Sequence, residues 1–297
     1  MSFVNSIVLD KDYVKSLLPL RREDGNKGTF GRVLIVCGSK KMVGCCVLAA
    51  QGALRSGAGL VEIAFPDVLY TALTSRLTET LFLPLETDEH GEISHLALPV
   101  ILEAADKADV VVCGCGIGTG YGAHLVTTSL ISVSRTPLIL DADSLNCLAD
   151  AVNFLKNADC EILLTPHPGE MARLTDKTVQ EIQAEREKTA CDFCREYNLN
   201  LLLKGQNTVI CNSDASSVCV NPTGNTGLSK GGAGDLLSGI IGGIAAQNGG
   251  RLFDAACVGA YIHGLAADLL KGGYTEYSML PSDCISALPA AFNEILN

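Results

Sequence analysis

Short runs of Val, Ile and Leu without polar interruption punctuate the chain. They fall at 32–38 (RVLIVCG), 60–66 (LVEIAFP), 80–85, 109–116, 137–143, 161–166 and 200–205. Runs that do not alternate with polar residues predict strands covered on both faces. Several are separated by stretches long enough for crossover helices, the clearest being a Gly/Ala-rich one over 42–57. The pattern predicts an α/β fold with a mostly parallel central sheet flanked by helices on both faces. The end of the chain differs. Residues 208–213 and 216–222 predict a hairpin around Ser213-Asp214, followed by a Gly-rich turn and helices near 232–247, 252–271 and 282–296. No Pro/Ser-rich or charge-run linker interrupts the chain, so a single domain over 1–297 is expected, with 1–25 as an N-terminal extension.

Composition narrows this picture. A chain of 297 residues, 47% of them hydrophobic, is long enough to bury a large core. The net charge of −11 argues against a nucleic-acid partner, which would need clustered Lys and Arg. It leaves room for a small phosphorylated ligand. The thirteen Cys are scattered. Cys191 and Cys194 have the spacing of a metal or redox pair, but no second pair matches and the surroundings read as a helix. Thiols packed as small hydrophobes in a reducing compartment are the expectation. The N-terminus lacks a signal-peptide core and no apolar run reaches the roughly 20 residues of a membrane span. A cytoplasmic protein is expected, with no membrane partner.

Candidate chemistry lies just after the strand runs, where ligands bind in open α/β sheets. The sharpest feature is Asn225-Thr226-Gly227-Leu228-Ser229-Lys230-Gly231-Gly232-Ala233-Gly234-Asp235, leading directly into a helix. Bare N–H groups of Gly231, Gly232, Ala233 and Gly234 at a helix N-terminus make an anion hole. Asp235 beside it is placed to accept a proton from an attacking hydroxyl. A second constellation is Thr165-Pro166-His167-Pro168-Gly169-Glu170, a stiff turn that aims His167 and Glu170 outward. His90, His95, His124 and His263 read as structural or solvated. Lys204, Gly205, Gln206, Asn207 and Thr208 form a polar turn suited to nucleotide phosphates. Finally, a glycine turn at 114–120 followed by Asp141 imitates a dinucleotide-binding fingerprint. Asp141 and Asp143 fit either a metal contact or the cap of a helix starting near Ser144.

Several segments occur in a fixed order: 27–33 (KGTFGRV), 53–61 (ALRSGAGLV), 140–146 (LDADSLN), TPHPGEMARL from 165 and NTGLSKGGAGD from 225. Together they resemble the ADP- or ATP-dependent NAD(P)H-hydrate dehydratases, a ribokinase-like family, over about residues 25–275. The resemblance implies an enzyme, a carbon-oxygen lyase. It would phosphorylate the ring hydroxyl of hydrated NADH or NADPH, lose phosphate and restore the cofactor. Asp235 would be the base. Cys45, Gly118, His167 and Asp235 would contact the hydrate. Lys204, Gly205, Gln206, Asn207, Thr208 and Gly234 would hold ADP or ATP, and Glu170 would help hold Mg2+. The family further implies a homo-oligomer, often a tetramer. Epimerase-fused members exist, but only about 25 residues precede the match here, so a stand-alone, ADP-using bacterial type is expected. Cys45 and Cys46 stand where the family usually has Ala, Val43 where Pro is frequent, and Ala233 where Thr is frequent. Two other readings use the same residues: a small-molecule kinase of this fold acting on a vitamin precursor or sugar, and an NAD-binding oxidoreductase or non-enzymatic dinucleotide module built on 109–141.

Overall fold

The computed structural model describes residues 6–297. Ten strands form one sheet: β1 (Ile7–Val8), β2 (Arg32–Val36), β3 (Leu60–Pro66), β4 (Leu81–Leu85), β5 (Val110–Cys113), β6 (Leu138–Leu140), β7 (Ile162–Leu164), β8 (Asn200–Leu203), β9 (Thr208–Cys211) and β10 (Val218–Asn221). Their order is β1-β10-β9-β8-β7-β6-β5-β2-β3-β4. Strands β2 to β8 pair in parallel, and the expected hairpin β9–β10 joins them antiparallel through β8 and β9.

The uninterrupted apolar runs follow from burial on both faces. Val33 and Ile35 of β2 enter one core, while Leu34 and Val36 enter the other. In β5, Val110 and Val112 part from Val111 and Cys113 in the same way. The first core is covered by α1 (Lys11–Leu17), α2 (Gly44–Arg55), α10 (Ala233–Ala245), α11 (Leu252–Leu269) and α12 (Pro281–Leu296). The second lies under α4 (Leu98–Ala105), α5 (Tyr121–Val133), α6 (Asp143–Leu148), α7 (Pro168–Thr175) and α9 (Arg186–Tyr197). Two short helices, α3 (Tyr70–Thr74) and α8 (Val179–Ala184), complete the set.

Most strands stop two or more residues before the apolar runs do. The residues after β2, β5, β6, β7 and β8 are turns at the carboxyl edge of the sheet rather than further strand. The N-terminal segment is also more than an appendage, since β1 pairs in parallel with β10 at the sheet edge. Leu252–Gly272 is apolar and long enough by composition to cross a membrane, although Asp254, His263 and Asp268 break its apolar run. It is mostly buried against the sheet, α10 and α12, as a core helix would be.

Helices α2 and α10 approach closely through small residues. A Cβ added at Gly239 would lie 2.0 Å from the Ala49 carbonyl oxygen. At an exposed helical site Gly→Ala stabilises by about 1 kcal/mol. Here the backbone contact reverses the sign, and Gly239→Ala should destabilise by about 1–3 kcal/mol. Gly44→Ala is the control, because a Cβ there meets nothing within 4 Å. Urea unfolding of both variants tests this, and a stable Gly239→Ala would mean that the two helices can separate.

Candidate active site

The turns after β5, β6, β7 and β8 and the N-terminus of α10 converge at one edge of the sheet. At their centre is a buried ion pair. Lys204, the residue after β8, places its Nζ 2.7 Å from Asp141 Oδ1 and 3.8 Å from Glu170 Oε2. The other Asp141 oxygen accepts a hydrogen bond of 2.7 Å from Ser238 Oγ in α10. Asp141 is 1% exposed. Burial pushes its carboxyl up, but the Lys204 ammonium and the bonds from Lys204 and Ser238 outweigh this and hold it below the usual range. Burial likewise opposes the Lys204 charge, and Asp141 and Glu170 more than restore it. The chain leaves this position through Ala142, whose φ of 48° is costly for a residue with a Cβ, about 1–3 kcal/mol. That kink turns β6 into α6.

His167 is the N-cap of α7. Its Nδ1 accepts from the N–H of Gly169 at 2.9 Å and of Glu170 at 3.3 Å, and the Glu170 carboxylate accepts the His167 N–H at 2.7 Å. This reciprocal capping box fixes the neutral ring with its proton on Nε2. Burial, then Lys204 and Arg173, hold the imidazole below its ordinary value. Glu170 is 5% exposed, and burial raises its carboxyl despite Lys204. Its Oε2 is taken by the His167 N–H while Oε1 lies 3.4 Å from the His167 Nε2, and among the described residues no group of three metal-ligating side chains gathers.

Asp235 sits in the first turn of α10. Burial, followed by the Asp141 charge, pushes its carboxyl up to about 6, against opposing contributions from Cys115 and Lys204. Of the four expected anion-hole donors, Ala233 is already engaged, its N–H donating to the Lys230 carbonyl at 3.3 Å. Among the described residues the N–H groups of Gly231, Gly232, Gly234 and Asp235 donate to no main-chain carbonyl. They stand open at the positive end of a 13-residue helix. Gly234 lies directly against the ion pair, since a Cβ there would be 3.3 Å from Lys204 Nζ.

A cleft of about 690 Å³ opens beside these groups. Its walls include His167, Lys204, Gly205, Gln206, Asn207, Thr208, Gly231, Ala233 and Gly234, so the structure brings most of the expected residues together. Asn221, Thr223, Ala260, His263 and Gly264 form the rest of the wall. His263 was expected to be structural or solvated; it is buried, its Nε2 has no protein partner, and burial followed by Lys204 pushes it down to about 4. Spacing along α11 gave no reason to place it here.

Cys45 and Gly118 do not line this cleft. Neither does Asp235 itself, which adjoins the cleft wall at Gly234 and is bordered by Cys115 of the glycine turn. The Cys45 thiol donates to the carbonyls of Met42 and Cys115, at 3.0 and 3.1 Å, and Cys115 borders Asp235. Gly118 donates its N–H to Asp143 Oδ2 at 2.9 Å. It must be glycine: its φ is 81°, and a Cβ would lie 2.2 Å from the Glu92 carboxyl carbon. Glu92 is the residue that sequence reasoning missed, because nothing in its polar loop ties it to a turn nearly thirty positions later. Its carboxylate accepts the Gly120 N–H at 3.0 Å, at the N-terminus of α5. In a dinucleotide-binding fingerprint that helix N-terminus receives the pyrophosphate. Here a carboxylate of the chain itself takes the N-cap N–H, which weighs against the oxidoreductase reading.

The family model described as NAD(P)H-hydrate dehydratase matches residues 33–290. The chain belongs to the NAD(P)H-hydrate dehydratase family. It is 39% identical over 285 residues to the bifunctional NAD(P)H-hydrate repair enzyme of Moorella thermoacetica, a match covering 96% of this chain and 53% of that protein. It is 39% identical over 255 residues to the ADP-dependent (S)-NAD(P)H-hydrate dehydratase of Neisseria meningitidis, covering 84% and 81% of the two chains. The chain thus spans about half the length of the bifunctional relatives it matches. Among solved structures, the ADP/ATP-dependent NAD(P)H-hydrate dehydratase of Bacillus subtilis co-crystallised with ATP/Mg2+ superposes with a TM-score of 0.83. That match has 27% identity and covers 99% of this chain and 100% of that one. The fold of this dehydratase-family chain is ribokinase-like, as the motifs implied.

The raised Asp235 carboxyl carries a stability consequence with a definite sign. Its folded-state pKa of about 6 lies above the unfolded value of roughly 3.9. Native protein therefore binds more protons than unfolded protein between these values, and stability falls as pH rises through that window. Asp235→Asn removes the buried charge. The variant should gain up to about 3 kcal/mol at about pH 8, with the gain vanishing below about pH 4. Denaturant titrations across pH test this; a variant that is less stable at high pH contradicts the assignment.

Proposed function

We propose that this chain uses an adenine nucleotide to dehydrate hydrated NADH or NADPH, regenerating the reduced cofactor. The observation that carries the proposal is the place of Asp235, between the cleft with its open helix amides and the glycine turn that bears Gly118. Lys204, Gly205, Gln206, Asn207, Thr208 and Gly234 would hold the nucleotide phosphates, with Gly231, Gly232, Gly234 and, in part, Ala233 supplying the anion hole. The hydrate would lie on the Cys45 and Gly118 side, reaching past Asp235 towards His167.

In this arrangement Asp235 takes the proton of the ring hydroxyl as the hydroxyl oxygen attacks the terminal phosphorus. The bond from that phosphorus to the nucleotide oxygen breaks as the new one forms. The hydroxyl becomes a phosphate ester, a far better leaving group than hydroxide. Phosphate then departs with loss of a neighbouring ring proton, and the ring double bond is restored. A pKa near 6 suits a base that is ionised at neutral pH yet able to hold a proton briefly. The donors present make no protein cage for magnesium, so the residues fit an ion that arrives on the nucleotide phosphates. Glu170, beside Lys204, would help hold it through water. Such an ion would neutralise phosphate charge.

The Neisseria relative named for ADP supports ADP as phosphoryl donor, with ATP as the alternative that the Bacillus structure carries. The small-molecule kinase reading shares every phosphate contact and differs only in what fills the Gly118 side. Absorbance at the reduced-nicotinamide band, with hydrate, magnesium and each nucleotide in turn, separates the two: recovery of absorbance supports dehydration, and none with either nucleotide contradicts it. Asp235→Asn should lower turnover by ~10²–10⁴-fold while both ligands still bind by calorimetry. Near-normal turnover in that variant would reduce Asp235 to a helix-start residue.

A further inference from the structure

Two lysines line the cleft, and their surroundings differ in kind. The ammonium of Lys204 is neutralised by Asp141 and Glu170. Lys230, immediately before Gly231, donates from Nζ to the main-chain carbonyls of Tyr277, at 2.7 Å, and of Met279. Among the described residues no carboxylate lies within ion-pair distance of it. Neutral carbonyls orient an ammonium without cancelling its charge. A full positive charge is therefore held at the mouth of the cleft, next to Gly231, where even an added Cβ would meet nothing within 4 Å.

The carbonyls that hold it are themselves fixed. Glu276 accepts a hydrogen bond from Thr226 and lies 3.9 Å from Lys271 Nζ. Lys271 in turn pairs with Asp268 at 3.2 Å, and Asp268 accepts the Gly224 N–H at 2.7 Å and the Asn225 side-chain amide at 3.0 Å. Residues 275–280 are thus tied to the same turn that carries Lys230. Phosphoryl transfer spreads charge over three equatorial oxygens and is accelerated mainly by positioned cations and donors. A lysine already paired with two carboxylates supplies little net charge for that purpose.

We propose that Lys230 is the catalytic cation of the phosphoryl transfer. On nucleotide binding its ammonium turns from the Tyr277 and Met279 carbonyls to the terminal phosphate, and it stays protonated and forms no covalent bond. The phosphorus passes from the nucleotide oxygen to the substrate oxygen, and the hydroxyl proton goes to Asp235. This rests on the phosphoryl-transfer reading above, and its test uses binding so that the two can fail separately.

The test is calorimetric titration of ADP and AMP, with magnesium, into the parent, Lys230→Gln and Lys230→Arg. Gln keeps a donor for the carbonyls but lacks the charge. The parent should prefer ADP, the ligand with the additional phosphate. Lys230→Gln should lose about 10-fold or more of that preference, the worth of a charge-assisted hydrogen bond, with AMP affinity unchanged, and Lys230→Arg should keep it. An unchanged preference in Lys230→Gln, or equal loss of both nucleotides, would overturn the proposal and leave Lys230 as a tie for 275–280. Failure of the parent to bind either nucleotide would overturn the nucleotide reading as well. Hydrogen exchange on the parent gives a check that needs no variant: saturating ADP, but not AMP, should speed exchange in 275–280 as the lysine leaves, and identical exchange with both contradicts the switch.

Discussion

The Lys204–Asp141 pair is the constraint around which the site is arranged. It joins the ends of β6 and β8, and through Ser238 and Glu170 it fixes the second turn of α10 and the first turn of α7. A buried pair of this kind adds little net stability, yet removal of one partner costs about 3–5 kcal/mol because the other charge is stranded. Its value here is positional. With Lys204 satisfied by two carboxylates, the negative charge of Asp141 acts on Asp235 from within a water-poor wall. The same wall buries Asp235, and burial is the larger cause of its raised carboxyl. A carboxyl tuned towards neutrality is thus a by-product of how three secondary-structure ends are tied together.

Asp235 adjoins two different environments. On one side is the cleft lined by the 204–208 turn, the start of α10 and one face of α11. On the other are the glycine turn at 114–120, Cys45 under it, and the carboxylates of Glu92 and Asp143 that accept its N–H groups. The first side offers open amides and cations, and so suits phosphates. The second has its amides already satisfied by carboxylates, and so suits a neutral, hydroxylated ring. That asymmetry is the basis of the proposal that nucleotide and hydrate approach one carboxylate from different directions.

Much of this was legible in the sequence. Six of the seven runs were readable because a strand covered on both faces cannot alternate, and Val33 to Val36 divide between the two cores in just that way; β4 is the exception, an edge strand whose Leu81 is 43% exposed. The turn at 231–235 was readable because glycines opening a helix have a chemical reason to be there. Partners distant in sequence were not readable. Glu92 reaches Gly118 and Gly120 only through the tertiary fold, and the fingerprint at 114–120 gave no sign that its helix N-terminus is already filled. His263 looked like any helical histidine until α11 packed beside Lys204. The cysteines behave as the sequence suggested: those described are free thiols, most of them buried. The Cys211 thiol donates a hydrogen bond of 3.8 Å to the Cys191 sulfur between β9 and α9, and burial is the main reason the Cys191 thiol is pushed up to about 12.

The central claim is that one carboxylate, raised by burial and by Asp141, takes the substrate proton. It is tested most directly by the pH dependence of the single-turnover rate with saturating hydrate and nucleotide. The account predicts a rate that rises with pH through an ionisation near 6 and then levels, the limb disappearing in Asp235→Asn. A limb at the ordinary aspartate value of roughly 4, or one near 6 that persists in Asp235→Asn, would contradict it.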